Sequence, residues 1–287
     1  MSRALVLGGG GPVGVAWEAG VVAGLAESGV DLTAADRIIG TSAGSLVGAR
    51  LARGATPAQL LEKALHVSAG NGAPRPEVDL ERLMAVGAAM FESIDGERPD
   101  EEILTQVGRI ALGADTISED EFVAMTGRGL GDEWPERDYV CTAVDAESGA
   151  FRAWDAAAGA SLERAVASSC SVPGLFPPMT IDGRRYVDGG VLSATNAFLA
   201  EGHDSVVVLS VLTGALAGLA EHLSVPLRRE VAALEAGGSA VEVVEMGEGV
   251  LAITGGDLMD FDAGPAAAEV GRAEGQAAAE RVGRIWG

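Results

Sequence analysis

The chain has 287 residues, 48% of them hydrophobic, and a formal net charge of −22 at pH 7. That is enough apolar material for one large domain with a substantial core, whereas two domains would each be small. The charge argues against a nucleic-acid partner and against an anionic membrane held by charge alone, but not against an apolar lipid surface.

Residues 4–7 are expected to form a buried strand and residues 14–26 a helix, with the glycine run of "VLGGGGPVG" between them. Residues 37–39 read as a short second strand, followed by "GTSAGS" (40–45) and an Ala/Leu-rich helix that Gly54 can end. "TPAQ" (56–59) has the form of a capping box with Pro57 at the first helical position. From about residue 70 to 135 the chain is turn-rich with two segments of helical spacing, at 79–94 and 99–112. We expect a mainly helical insertion in one domain spanning 1–287, with the apolar face of 79–94 either facing the core or bordering an acyl pocket as a lid. Strands are expected at 139–145, with "GAFRAW" as its hairpin partner, and in "GRRYVDGG" (183–190). "DSVVVLSVL" (204–212) is apolar throughout, as in a buried parallel strand, and 240–246 reads as the last strand. Residues 264–286 form a closing helix with Pro265 in its first turn. Strands alternating with helices indicate an α/β fold with a largely parallel sheet.

Two cysteines, Cys141 and Cys170, are too few for a disulfide framework and suit a reducing compartment. The start, "MSRALVLGGGG", has one basic residue and too short an apolar run for a secretory signal. No uninterrupted apolar run reaches the roughly 18 residues of a membrane span. A cytoplasmic location is therefore the expectation.

Gly9, Gly11 and Gly14 fit G-x-G-x-x-G between a strand and a helix, the layout of an anion-binding loop. A dinucleotide site would need an acidic residue at the end of the second strand, where this chain has Gly40 and a serine motif. "GTSAG" (40–44) is G-x-S-x-G on a strand-to-helix junction. A serine at such an elbow has its Oγ exposed, and Gly40 and Gly44 let the chain double back. A nucleophile, Ser42, and a glycine loop for an oxyanion are the two parts that acyl transfer needs most.

Three histidines could supply a base. His66 follows the elbow helix, His203 lies at the wrong end of its strand, and His222 sits in "LAEHLS", which also reads as a solvated helix position. Asp188 in "YVDGG" is the better base: it is expected at the carboxyl end of a parallel strand, as is Ser42, and Gly189 and Gly190 allow close backbone approach. It could equally serve as a plain turn residue.

Read together, "GGGGPVG" (8–14), "GTSAGS" (40–45), "SSCSVPGLFPP" (168–178) and "YVDGG" (186–190) resemble the patatin-like phospholipases, over roughly residues 3 to 212. The resemblance implies a three-layer α/β/α fold with a largely parallel central sheet. It implies a Ser–Asp dyad of Ser42 and Asp188 without histidine, and no metal or cofactor. It puts the oxyanion hole on backbone amides of the loop (Gly9, Gly10, Gly11, Gly14), chiefly Gly10 and Gly11, since Pro12 has no N–H. The substrate implied is a lipid or other acyl ester, with transient contact to lipid surfaces and no nucleic acid. "SSCSVPGLFPP" corresponds to the segment that packs beneath the site. Many members carry Arg or Lys where this chain has Val13, and "SATN" (193–196) differs from their proline-containing sequence. Two further readings are a dinucleotide-binding protein using the same loop and a non-catalytic family member.

Overall fold

The computed structural model describes residues 1–66, 86, 99–127, 129–211 and 220–287, with side chains from residue 224 onward in the last stretch. The first half runs β1 (Arg3–Leu7), α1 (Gly11–Glu27), β2 (Arg37–Gly40), α2 (Ala43–Ala52), α3 (Pro57–Leu65), α4 (Glu101–Leu112) and α5 (Glu119–Thr126). It continues with β3 (Asp138–Asp145), β4 (Phe151–Trp154), α6 (Leu162–Ser169), β5 (Met179–Ile181), β6 (Arg184–Asp188) and β7 (Ser205–Ser210). The chain ends with α7 (Ala220–Ala236), β8 (Ala240–Glu245), α8 (Glu248–Thr254) and α9 (Gly264–Trp286). Thr56 and Gln59 close the capping box of α3 reciprocally, and Pro265 stands in the first turn of α9. The 99–112 spacing yields α4, while 79–94 lies outside the described residues except for Val86, which is buried. Helix α1 starts at Gly11, three residues earlier than expected, because Pro12 suits the first turn and Gly10 serves as its N-cap.

Pairing runs β5-β6-β3-β2-β1-β7-β8, and β4 also pairs with β3. The run β3-β2-β1-β7-β8 is parallel throughout, while β4, β6 and β5 join it antiparallel. The sheet is therefore mixed, with a parallel centre. Strand β6 corrects one expectation: Asp188 ends an antiparallel strand. It still reaches the carboxyl edge, for a reason of register. Strand β2 pairs with β3 only as far as Cys141, and β3 runs on to Asp145. Strand β4 takes Cys141–Val144 on one edge of β3, so β6, which takes Ala143–Asp145, must use the other. Thr41, one residue beyond β2, lies beside Thr142, their hydroxyls 3.0 Å apart, so that other edge is the one β2 occupies. Strands β2 and β6 therefore point at each other end to end, and Ser42 and Asp188 follow from the two facing ends.

The alternation along each strand divides the core into two faces. Leu5, Leu7, Ile38, Val207 and Leu209 face the layer of α1, α2, α3 and α9. Ala4, Val6, Ile39, Val206 and Val208 face Leu227 and Leu234 of α7. Helices thus cover both faces of the sheet, giving three layers. Helices α1 and α9 meet along a seam of glycines: a Cβ on Gly20 would stand 2.1 Å from Ala268 O, and one on Gly24 would stand 2.1 Å from Arg272 O. The interaxial distance follows from the side chains at the contact, and at these glycines backbone meets backbone directly.

Candidate active site

Ser42 joins β2 to α2 with φ 53° and ψ −117°, a conformation that non-glycine residues rarely adopt. The surroundings hold it there. Thr41 N donates to Leu7 O (3.0 Å) and Gly44 N to Gly8 O (2.9 Å), locking the elbow onto the end of β1. Ser42 N donates to Ser169 Oγ (3.0 Å), and Ser42 O accepts from Ser45 Oγ (2.6 Å) and Cys170 Sγ (3.3 Å). Burial pushes the Cys170 thiol up to about 12, so it stays protonated and able to donate. A Cβ on Gly40 would lie 2.6 Å from Gly44 O, and one on Gly44 would lie 2.2 Å from Leu7 O, so only glycine fits either place.

The five glycines at 8–11 and 14 divide by where their N–H groups go. Gly8 N donates to Leu209 O (3.0 Å) and Gly9 N to Ala194 O (2.8 Å). Gly14 N donates to Gly10 O (2.8 Å) inside α1. Gly9 and Gly14 are therefore not available to an oxyanion. Gly14 instead allows close packing, since a Cβ there would stand 3.3 Å from Ala43 Cβ. The amides of Gly10 and Gly11 have no acceptor among the described residues and lie at the positive end of α1. The loop passes the elbow closely: a Cβ on Gly9 would be 4.0 Å from Ser42 Oγ. Val211 fixes the loop from one side and Leu258 O from another, accepting from Val13 N at 3.3 Å. Val13 is fully buried, and the chain presents no charge there.

Asp188 is 4% exposed. Its N–H donates to Ser171 O (3.0 Å) and its Oδ1 accepts from Gly190 N (2.7 Å). Burial pushes its carboxyl up to about 7, against the opposing pull of the Gly190 amide and the Ser42 hydroxyl. Oδ2 is buried and makes no fully formed hydrogen bond. The Ser42 hydroxyl thus lies close enough to bias the carboxyl without closing a bond to Oδ2. Gly189 packs on Thr142, where a Cβ would be 2.3 Å from Oγ1.

The histidines are engaged elsewhere or undescribed. His66 Nδ1 donates to Glu62 O (2.7 Å) at the end of α3, and His203 Nδ1 donates to Ala200 O (3.0 Å) at the amino end of β7. The backbone of His222 is in α7, and its side chain lies outside the described residues. Among the described residues no His, Cys, Asp and Glu cluster is arranged to hold a metal, and no helix is long and apolar enough to cross a membrane.

Sequence reasoning missed the supports. Ser169 holds the elbow amide, and the carbonyl of Ala194 holds Gly9. Asn196 gathers Thr41, Thr142, Gly189 and Ser193. Only the unusual "SATN" run marked that last segment in advance.

A family model described as patatin-like phospholipase matches residues 5–200. No curated protein sequence matches the chain. Among solved structures, 98% of the chain aligns with VipD from Legionella pneumophila, covering 66% of that chain at 14% identity and a TM-score of 0.48. It aligns over the same share with the type III effector protein ExoU, covering 53% of it at 14% identity and a TM-score of 0.44. Full-length ExoU in complex with SpcU from Pseudomonas aeruginosa gives 17% identity, 52% coverage of that chain and a TM-score of 0.43. The chain spans between about half and two thirds of the length of these structures.

Proposed function

The chain belongs to the patatin-like phospholipase family, and from that premise we propose that it is a serine hydrolase of lipid acyl esters, with Ser42 as nucleophile and Asp188 as its base. One observation carries the reading: a buried carboxyl on one strand end lies against the hydroxyl of a strained serine on the facing strand end, and among the described residues no histidine side chain stands between them. In the reaction Asp188 takes the Ser42 Oγ proton as Oγ attacks the ester carbonyl. The Gly10 and Gly11 amides receive the oxyanion. Collapse breaks the ester bond, and the leaving alcohol takes the proton back from Asp188. Water then enters, gives a proton to Asp188, and releases the acyl group as Ser42 recovers its own.

An ordinary aspartate is a weak base for an alcohol. Raised to about 7 by burial, Asp188 is better matched to its task, and the two free amides supply the rest. The negative charge of the chain favours contact with lipid through apolar surface rather than through anionic headgroups. The dinucleotide reading has less support, because β2 ends in Gly40 and turns directly into the elbow.

The test is covalent labelling with a fluorophosphonate, followed by turnover of an acyl-ester series. Ser42→Ala should abolish labelling, and Asp188→Asn should lower kcat by orders of magnitude with the fold retained. Because the base must be deprotonated, kcat/KM should rise with pH and level off above about 7. Equal labelling of Ser42→Ala and the parent would sink the assignment, as would retention on a nucleotide resin by an unlabelled parent.

A further inference from the structure

The segment Ser193–Ala197 touches every part of the site and belongs to none of its motifs. Ala194 O accepts from Gly9 N at 2.8 Å, tying it to the glycine loop. Thr195 Oγ1 and Ala197 N both donate to Glu230 Oε2, at 3.2 and 2.8 Å, tying it to α7. Between them stands Asn196, with no exposed surface and a left-handed backbone at φ 50° and ψ 39°. Asparagine and glycine tolerate that conformation best. Its N–H donates to Ser193 Oγ at 3.0 Å, which keeps the turn closed.

The side-chain amide of Asn196 reaches three different elements. Nδ2 lies 3.0 Å from Thr41 Oγ1, the residue just before Ser42. It lies 3.2 Å from Gly189 O, the residue just after Asp188. It also meets Thr142 Oγ1 on β3 (3.2 Å) and Ser193 O (2.8 Å). The two carbonyls accept only, so the nitrogen must face them. Thr41 and Thr142 complete the cluster hydroxyl to hydroxyl. No backbone ladder joins the facing ends of β2 and β6, since each pairs with β3 and not with the other. The gap between the two strand ends is bridged by this amide.

Resting on the reading of Ser42 and Asp188 as a dyad, we propose that Asn196 is its positioning residue: one buried amide that sets the distance between the serine elbow and the aspartate turn. Asn196 touches neither substrate nor reacting atoms. It acts through Thr41 and Gly189, and its removal lets the two strand ends drift by fractions of an ångström. A misplacement of about 1 Å can cost about a hundredfold in rate, and a smaller drift correspondingly less.

The decisive variant is Asn196→Gly, which keeps the left-handed backbone and deletes the amide. With a short-chain ester, kcat should fall about tenfold to a hundredfold while KM stays within about threefold, and the fluorophosphonate labelling rate should fall in parallel. Circular dichroism and Tm identify a folded protein, and Asn196→Asp, which keeps shape but leaves at most one O–H donor in place of two N–H donors, should show the same split. A folded Asn196→Gly with parental kcat and labelling rate would overturn the proposal alone, as would a loss confined to KM. Should Asn196→Gly not fold, Asn196→Asp decides by the same criteria. A parent without Ser42-dependent labelling would remove the dyad reading and this proposal with it.

Discussion

Glycine is used in two ways in this protein, and the carboxyl edge and the α1–α9 seam show the difference. At the edge, Gly40 and Gly44 let backbone turn sharply, and Gly10 and Gly11 leave N–H groups without an acceptor among the described residues. At the seam, Gly20, Gly24, Gly271 and Gly275 let two helices touch backbone to backbone, with every turn regular. An added methyl is sterically excluded in both regions. The edge holds strain and unsatisfied donors, and the seam holds ordinary close packing. A methyl in one should therefore register as lost rate, and in the other as lost stability.

The largest separation should come from Gly10→Ala. Its Cβ would fall 2.4 Å from Val211 Cγ1, a side chain that can give way only by moving the loop. Displacing one oxyanion donor should lower kcat by about a hundredfold or more, with Tm little changed. Gly24→Ala should do the reverse. Its Cβ would meet a backbone oxygen, Arg272 O, at 2.1 Å, which forces the helices apart. Overpacking of this kind costs about 1–3 kcal/mol, read as a lower midpoint in urea unfolding with kcat preserved in the folded fraction. If Gly24→Ala lost rate and kept its midpoint, the two regions would not be separate in function.

The sequence made some of this contrast legible and hid the rest. Local signals carried the buried strands β1 and β7, the α3 capping box and the start of α9. The elbow was legible because Gly-x-Ser-x-Gly is both a motif and a steric requirement. What could not be read was pairing. Alternation cannot tell whether a strand such as "RRYVD" runs parallel or antiparallel, so β6 was assigned the wrong direction while Asp188 was assigned the right edge. Hydrogen bonds spanning long stretches of chain were equally hidden: Asn196 to Thr41 is separated by 155 residues, and Ser169 to Ser42 by 127. The division of the glycine loop into spent and free amides depends on Leu209 and Ala194, which no local pattern connects to it.

A buried acid in α1 sharpens the same contrast. Glu18 has no exposed surface, neither carboxyl oxygen has a formed hydrogen bond, and it lies against the Gly8 backbone. Burial raises its pKa well above the ordinary carboxylate value, with the Gly8 amide pulling weakly the other way. In the unfolded chain the group ionises near 4.5, and in the folded chain it keeps its proton to higher pH. Folding then binds a proton, so this group lowers stability as pH rises from the unfolded value toward the folded one. Glu18→Gln should raise the unfolding midpoint at pH 7 and lose that advantage near pH 4. Glu18→Met, which also removes the unsatisfied oxygens, should gain about 1–3 kcal/mol and keep part of the gain at low pH. A parent whose stability is flat between pH 4 and 7 on this comparison would remove the buried acid from the account.

The smallest effect is the most direct measure of what the edge stores. Ser42 makes no side-chain cap bond to α2, so its side chain does little for stability, while its φ of 53° is unfavourable for any residue with a Cβ. Alanine at this position keeps the strain, and glycine releases it. Sparsely populated backbone conformations cost about 1–3 kcal/mol, and glycine gives back about 0.4–1 kcal/mol through its freer unfolded chain. Ser42→Gly should therefore be more stable than Ser42→Ala by about 1 kcal/mol, a rise of about 2 °C in Tm for a chain of this size. Both variants are expected to be inactive, so the difference cannot arise from the chemistry. The same comparison at Ala23, inside the regular helix α1, should give the opposite order: Ala23→Gly should be less stable than the parent, since glycine there costs about 1 kcal/mol relative to alanine. Equal stability of Ser42→Gly and Ser42→Ala would mean that the elbow is held without strain and that its geometry is set by the Ser169 and Cys170 contacts alone.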